Sequence, residues 1–286
     1  MERVILASLP KSLQKPPLKT IMKLCRYTND NKSYWGVVKD DSIIPLKNLE
    51  NIKKQIESIK LFERIKIANA KFLPPLSPSK IVCVGRNYSE HAAELGNVLP
   101  KKPLLFLKAP SSIITEGEPI VLPEQSNQVE HEGELAVVIG RVCKNLSAAD
   151  NPLDYIFGYI CLNDVTARDL QRVDGQFTRA KSFDTFCPIS AIIETNLDVS
   201  DIQVVTKING VVRQNGRTSQ MVFSVPYLIK YISHQMTINA GDIIATGTPA
   251  GVSKLNVDDV CEIEIEGIGT LRNSVERRKT ESVNQF

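Results

Sequence analysis

The stretch VEHEGELAVVIG, residues 129–140, sets carboxylates at Glu130, Glu132 and Glu134, every second position ahead of the apolar run Leu135 to Ile139. In an extended strand, residues two apart point to the same face. Like charges would therefore crowd one face unless something offsets their repulsion. A solvated strand face is one account, but two details count against it. Glu134 leads directly into the apolar run, where an unpaired charge is costly or shifts its pKa until it neutralises. A second apolar run, YIFGYICLND, is closed by another acid, Asp164. Asp164 could serve as an N-cap for the segment DVTARDLQ that it opens. Taken with the glutamates, it completes an all-oxygen set suited to a hard divalent cation, Mg²⁺ or Mn²⁺ rather than zinc. An octahedral ion held by three protein oxygens keeps roughly three positions for water or substrate. A 2-oxo-carboxylate or its enol would chelate such an ion through two oxygens, and the ion would act as a Lewis acid on the enolate that forms.

Further segments follow in order: GRNYSEHAAELG (85–96), EHEGELAVVIG (130–140), GYICLNDVTARDLQ (158–171), TRAKSFDTFCP (178–188), ING (208–210) and GDIIATGTPAGV (241–252). Together they resemble the ordered signature set of the fumarylacetoacetate hydrolase family. The match runs from about Ile81 to Ser274, and the part before it is similar to the family's smaller members, whose chains would begin near Met22. The resemblance implies that Glu132, Glu134 and Asp164 hold Mg²⁺ or Mn²⁺, with Glu130 left as a flank. It implies an acid/base pair in His91 and Glu94, which a helix would bring to one face. It makes Lys181 a stabiliser of developing negative charge. Arg168 and Gln171 fall on positions that line the pocket, Thr248 on that of a threonine that contacts the substrate carboxylate, and Tyr88 on the segment that carries His91. Blander roles stand beside these: His91 as a surface polar residue, Lys181 paired with Asp184, Arg168 paired with Asp169 or Asp174, and the ATGTPAG glycines as a turn. Phe177 stands where many relatives carry tryptophan.

The activity implied is that of a metal-dependent enzyme of small 2-oxo or enolised (di)carboxylic acids. The leading expectation is C–C bond hydrolysis of acylpyruvates or decarboxylation of oxaloacetate-like acids. Isomerisation or hydration of hydroxymuconate-type dienoates, or a non-catalytic metal-binding protein, are the alternatives. A homodimer is expected by the same resemblance.

The elements that must position these residues are mostly strands. From Met22 to about Leu49, short strand candidates are broken by the turn-formers TNDNKS and KDDS. Ile52, Ile56, Ile59 and Phe62 recur at helical spacing, which predicts a helix over 50–72. The proline-rich LPPLSPSK then marks a boundary. The resulting division is an extension over 1–21, a small N-terminal α+β domain over 22–74, a catalytic domain over 79–275 and a tail over 276–286. The second domain reads as mainly β with few helices, at about 87–96, 147–154, 165–172 and 223–234. A rolled mixed sheet fits better than a doubly wound one.

Composition narrows the partners. The 286 residues carry a net charge of +3, too mild and too dispersed for a nucleic-acid or anionic-membrane surface. The six cysteines include no CxxC pair, which predicts reduced, mostly buried thiols and neither zinc nor disulfides. No apolar run approaches the roughly 18 residues that cross a bilayer. A soluble, cytoplasmic protein with a small-molecule partner is expected, or a mitochondrial-matrix one if residues 1–21 are a targeting peptide.

Overall fold

The apolar run after Glu134 becomes the strand Gly133–Ile139, buried at every position. It is covered on both faces, and so lacks the alternation of a half-exposed strand. Leu135, Val137 and Ile139 pack into one core cluster, while Ala136 and Val138 pack into another. The structure, a computed structural model, describes residues 22–29, 32–49 and 64–277. The fold is mostly β, as expected. The extension 1–21, much of the expected helix over 50–72, and most of the tail lie outside the described residues.

The larger sheet has eleven strands, and Gly133–Ile139 lies within it. On one side it pairs antiparallel with Ile156–Asn163, and on the other with Ile243–Ala245. Ile243–Ala245 pairs parallel with Ile81–Gly85, which pairs antiparallel with Leu104–Lys108. The sheet is therefore mixed. In the other direction it passes through Ile192–Glu194 to Lys23–Asn29, so the N-terminal strands extend the same sheet. A five-stranded sheet, with Gln203–Ile208, Val260–Ile265 and Gly269–Arg277 among its strands, packs against the first core cluster through Val204, Ile263, Ile265 and Leu271.

Four α-helices stand among the described residues: α1 (Ser89–Glu94), α2 (Arg168–Asp174), α3 (Thr178–Lys181) and α4 (Val225–Ser233). In α4, Val225, Leu228, Ile229 and Ile232 form the apolar stripe that closes the first core cluster. No helix among the described residues is long and apolar enough to cross a membrane. All six cysteines are buried and free, in line with the sequence reading.

Three helix expectations are corrected. Residues 64–73 do not continue a helix: Lys71–Leu73 pairs with Lys23–Asn29, and Ile65–Lys66 with Ser42–Leu46. Sheet pairing there overrides the helical spacing that Ile52 to Phe62 suggest. The segment 147–154 holds only a 3₁₀ turn, Pro152–Tyr155. Ser147 spends its backbone N–H and its hydroxyl on Asp150 Oδ2, a local bond that competes with a helix. Helix α2 begins at Arg168 rather than near Val165, because Thr166–Ala167 pairs with Val129–Glu130.

Candidate active site

The last rung of the ladder between Gly133–Ile139 and Ile156–Asn163 pairs Gly133 with Asn163. Just past it, Asn163 Oδ1 accepts from the Glu132 N–H at 2.9 Å, and the Asp164 N–H donates to the Glu132 carbonyl at 2.9 Å. These two bonds hold Glu132 and Asp164 side by side at the strand ends. Glu134, one pleat further in, joins them: one carboxylate oxygen from each of the three residues lies within 4.8 Å of the others. All three side chains are buried. The strand does not run unbroken through the three glutamates. Val129–Glu130 forms a separate short ladder, so Glu130 departs from the face that Glu132 and Glu134 share.

Three cations meet these acids. Lys181, at the end of α3, places Nζ 2.6 Å from Glu132 Oε2 and 2.7 Å from Asp164 Oδ2. Lys108 places Nζ 2.7 Å from Asp164 Oδ1. Arg168, opening α2, donates from Nε to Glu130 Oε2 at 2.7 Å and from Nη2 to Glu132, while Nη1 donates to Gln171 Oε1 at 2.7 Å. Glu130 is thus the anchor of Arg168 rather than an idle flank. Lys181 does not pair with Asp184. Asp174 is taken by Arg179, and Asp169 accepts from Ser126 and the Asn127 N–H. Asp164 does not cap α2, whose N-cap is Ala167.

The electrostatics divide the glutamates. Burial alone would push Glu132 up, but Lys181 and Arg168 outweigh it and hold that carboxyl well below the ordinary range. Glu134 is pushed well above it, first by burial and then by the neighbouring Asp164 and Glu132. Its one hydrogen bond among the described residues is accepted from the Gly247 N–H by Oε2, at 2.7 Å. Gly247 has φ +100°, and a Cβ there would come within 2.7 Å of the Asn87 Cβ, so only glycine allows this approach. Lys181 is shifted up, because the two carboxylates overcome the effect of its burial.

These groups open onto a cavity of about 390 Å³. His91, Glu94, Glu132, Glu134, Asp164, Arg168, Gln171, Lys181 and Thr248 all line it. Of the chain's three histidines, only His91 does so. His91 Nδ1 lies 3.3 Å from Glu94 Oε2, and Glu94 accepts from the Gly251 N–H at 3.0 Å. Helix α1 is thereby tied to the loop after Thr248. With the hydrogen on Nδ1, His91 Nε2 is left as a proton acceptor. Thr248 donates to the Gly133 carbonyl and accepts from Gln214 Nε2. His131, between the glutamates, is turned away into bonds with Gln214 and Ser253, and burial lowers it to about 4, so it stays neutral near pH 7.

Tyr88 is the site candidate that the cavity lining does not include. It is buried, its hydroxyl has no hydrogen-bond partner among the described residues, and its pKa is raised by burial and then by Glu134. Sequence reasoning passed over Lys108, Arg86, Arg172 and the aromatic wall. Phe177 lines the cavity and meets Phe106 edge-on at 5.3 Å, and Lys181 Nζ stands 5.1 Å from the Phe106 ring centre.

Residues 80–276 match the family model described as fumarylacetoacetate (FAA) hydrolase, C-terminal. The chain belongs to the fumarylacetoacetate hydrolase family. It is 42% identical over 203 residues to the mitochondrial oxaloacetate tautomerase of Bos taurus, covering 69% of this chain and 91% of that one. It is 41% identical over 224 residues to an oxaloacetate tautomerase of Bacillus subtilis, covering 73% and 74%. A solved structure of 5-carboxymethyl-2-hydroxymuconate delta-isomerase from Mycobacterium smegmatis matches with a TM-score of 0.80 and 40% identity, over 91% of this chain and 100% of that one. The protein is a fumarylacetoacetate hydrolase-family enzyme, and its buried acidic triad accords with a family that is usually metal-dependent.

Proposed function

We propose that the protein is a Mg²⁺- or Mn²⁺-dependent enzyme that interconverts the keto and enol forms of a small 2-oxo acid. The observation that carries this reading is that the His91–Glu94 pair, Lys181 and the carboxylate triad line one cavity. The donor set fits a hard cation: three buried carboxyl oxygens converge, and Glu134 has no basic partner at bonding distance among the described residues. Glu132, Glu134 and Asp164 would hold the ion, which when bound supplies a Lewis acid for the oxygens of the 2-oxo acid.

The chain's own residues then account for the proton. His91 Nε2 removes a proton from C3 of the keto acid, the C3–H electrons become the C2–C3 double bond, and the proton returns on oxygen to give the enol. Glu94 orients the imidazole through its contact with Nδ1. Lys181 adds positive charge beside the oxygen where negative charge develops. Arg168 and Gln171 position the substrate from α2. Keto–enol exchange requires no step beyond this proton transfer, whereas hydrolysis and decarboxylation each require C–C cleavage. The names of the two relatives in Bos taurus and Bacillus subtilis support the same choice.

The test follows the ultraviolet absorbance of freshly dissolved enol-oxaloacetate with and without Mg²⁺, in parallel with acetylpyruvate hydrolysis and pyruvate release from oxaloacetate. Metal-dependent acceleration of enol decay without matching pyruvate release is expected. Cleavage products at an equal or greater rate would move the assignment to hydrolase or decarboxylase.

A further inference from the structure

The cations around the cavity are unevenly used. Lys108, Lys181 and Arg168 are all bound to carboxylates of the protein. Two arginines that line the same cavity, Arg86 and Arg172, have no acidic partner among the described residues. Arg172, in the last turn of α2, donates only to the neutral Gln128 Oε1, at 3.0 Å. Gln128 in turn donates to Glu130 at 2.6 Å, so Arg172 is positioned without being neutralised. Arg86 has no hydrogen bond or ion pair among the described residues.

The backbone at Arg86 adds a second observation. Its φ is +58°, in the left-handed region, where a side chain other than glycine, asparagine or aspartate is rarely found. The next residue locks that turn. Asn87 donates to the Phe223 and Thr246 carbonyls, its Oδ1 accepts from the Phe223 N–H, and its carbonyl accepts from the Val222 N–H. Glycine would adopt this φ without strain. An arginine held there, with its side chain on the cavity wall and unpaired, points from backbone strain to a role for the side chain.

We propose that Arg86 and Arg172 bind a second carboxylate of the substrate and so select 2-oxo dicarboxylic acids over monocarboxylic ones. The inference rests on the reading of the inner site as a 2-oxo-acid site and names its substrate class. The inner end takes the 2-oxo-carboxylate group. The apolar strip of Leu104, Phe106 and Phe177 accommodates the short carbon chain. The outer carboxylate then meets guanidinium groups whose planar donor forks match it.

The experiment is a calorimetric titration of the Mg²⁺-loaded full chain with three probes. Oxalate reports on the inner end alone, oxaloacetate carries the second carboxylate, and 2-oxobutanoate carries a methyl group in its place. Wild-type protein is expected to bind oxaloacetate more tightly than 2-oxobutanoate. Arg86→Gln and Arg172→Gln are each expected to weaken oxaloacetate by about tenfold or more, the loss of a charge-assisted bond, and to leave oxalate and 2-oxobutanoate unchanged. Oxaloacetate affinity that is unchanged in the double variant overturns the clamp, as does a parallel loss of all three probes. Oxalate that fails to bind wild-type protein overturns the metal reading instead, whatever the arginine variants do.

Discussion

Lys108 Nζ lies 2.7 Å from Asp164 Oδ1, and neither side chain is more than 1% exposed. Lys108 ends the strand Leu104–Lys108, and Asp164 follows the end of Ile156–Asn163 on the cavity wall. Removing one member of a buried pair strands the other's charge. Lys108→Met should destabilise the metal-free protein by about 3 kcal/mol, the lower end of the usual range, because Lys181 still reaches Asp164 Oδ2. Urea unfolding in the presence of a chelator measures this. Saturating Mg²⁺ should shrink the difference, since the ion supplies charge to the same carboxylate. A loss that is equal with and without Mg²⁺ would show that Asp164 is not a ligand.

A half-buried acid, Glu116, stands apart from the site. Glu116, beside Gly117, Arg272 and Ser274, is pushed up by burial to about 7 from 4.5. The unfolded chain therefore ionises at lower pH than the folded one, and Glu116 subtracts stability as pH rises from 4.5 to 7, with its full cost present above 7. Glu116→Gln should stabilise the protein by about 1–2 kcal/mol at pH 8 and by little at pH 4.5, allowing for the partial exposure of the carboxyl. Denaturant midpoints at the two pH values decide it; an equal gain at both would place the effect in packing rather than ionisation.

The site was legible where charge interrupts an apolar pattern. Glu134 and Asp164 stand out because each adjoins a run that must be buried, and both prove buried. Lys108 closes PLLFLK in the same way and carries the same signal, but a lysine at a strand end also reads as an exposed edge. Period-2 alternation puts Glu130 on the face of Glu132 and Glu134 only if the strand is unbroken. The strand is interrupted at His131 and Glu132, and Glu130 turns to Arg168. Helix spacing failed at residues 64–73, where pairing with Lys23–Asn29 decides the conformation, and no local pattern reports a partner so distant in sequence. The left-handed backbone of Arg86 left no trace in its residue type.

Metal loading should register in stability before any activity is measured. A ligand that binds only the folded state, at a free concentration 100 times its Kd, adds about 2.7 kcal/mol. For a chain of this size that corresponds to a Tm rise of roughly 5–10 °C. Calorimetry with Mg²⁺ against EDTA should show it. The Glu132→Gln, Asp164→Asn double variant should show no rise. A rise that persists in that variant would mean the ion binds elsewhere.

The last prediction separates proton transfer from binding. His91 is buried and lines the cavity without sharing a hydrogen bond with the carboxylate triad. Its only side-chain bond among the described residues is to Glu94, which the Gly251 N–H holds in place. His91→Gln keeps a polar side chain of similar reach but removes the imidazole nitrogen that takes up the proton. It should lower kcat for enol-oxaloacetate ketonisation by roughly 10²–10⁴-fold, the usual worth of a positioned acid/base group. Mg²⁺-dependent oxalate affinity should stay within about twofold, because the inner site is untouched. Glu94→Gln should cost less, since a glutamine can still accept from Gly251 and orient the ring but supports the imidazolium poorly. If His91→Gln weakens oxalate as much as it slows turnover, His91 binds rather than moves the proton; if turnover is unchanged, the proton carrier is another residue of the cavity.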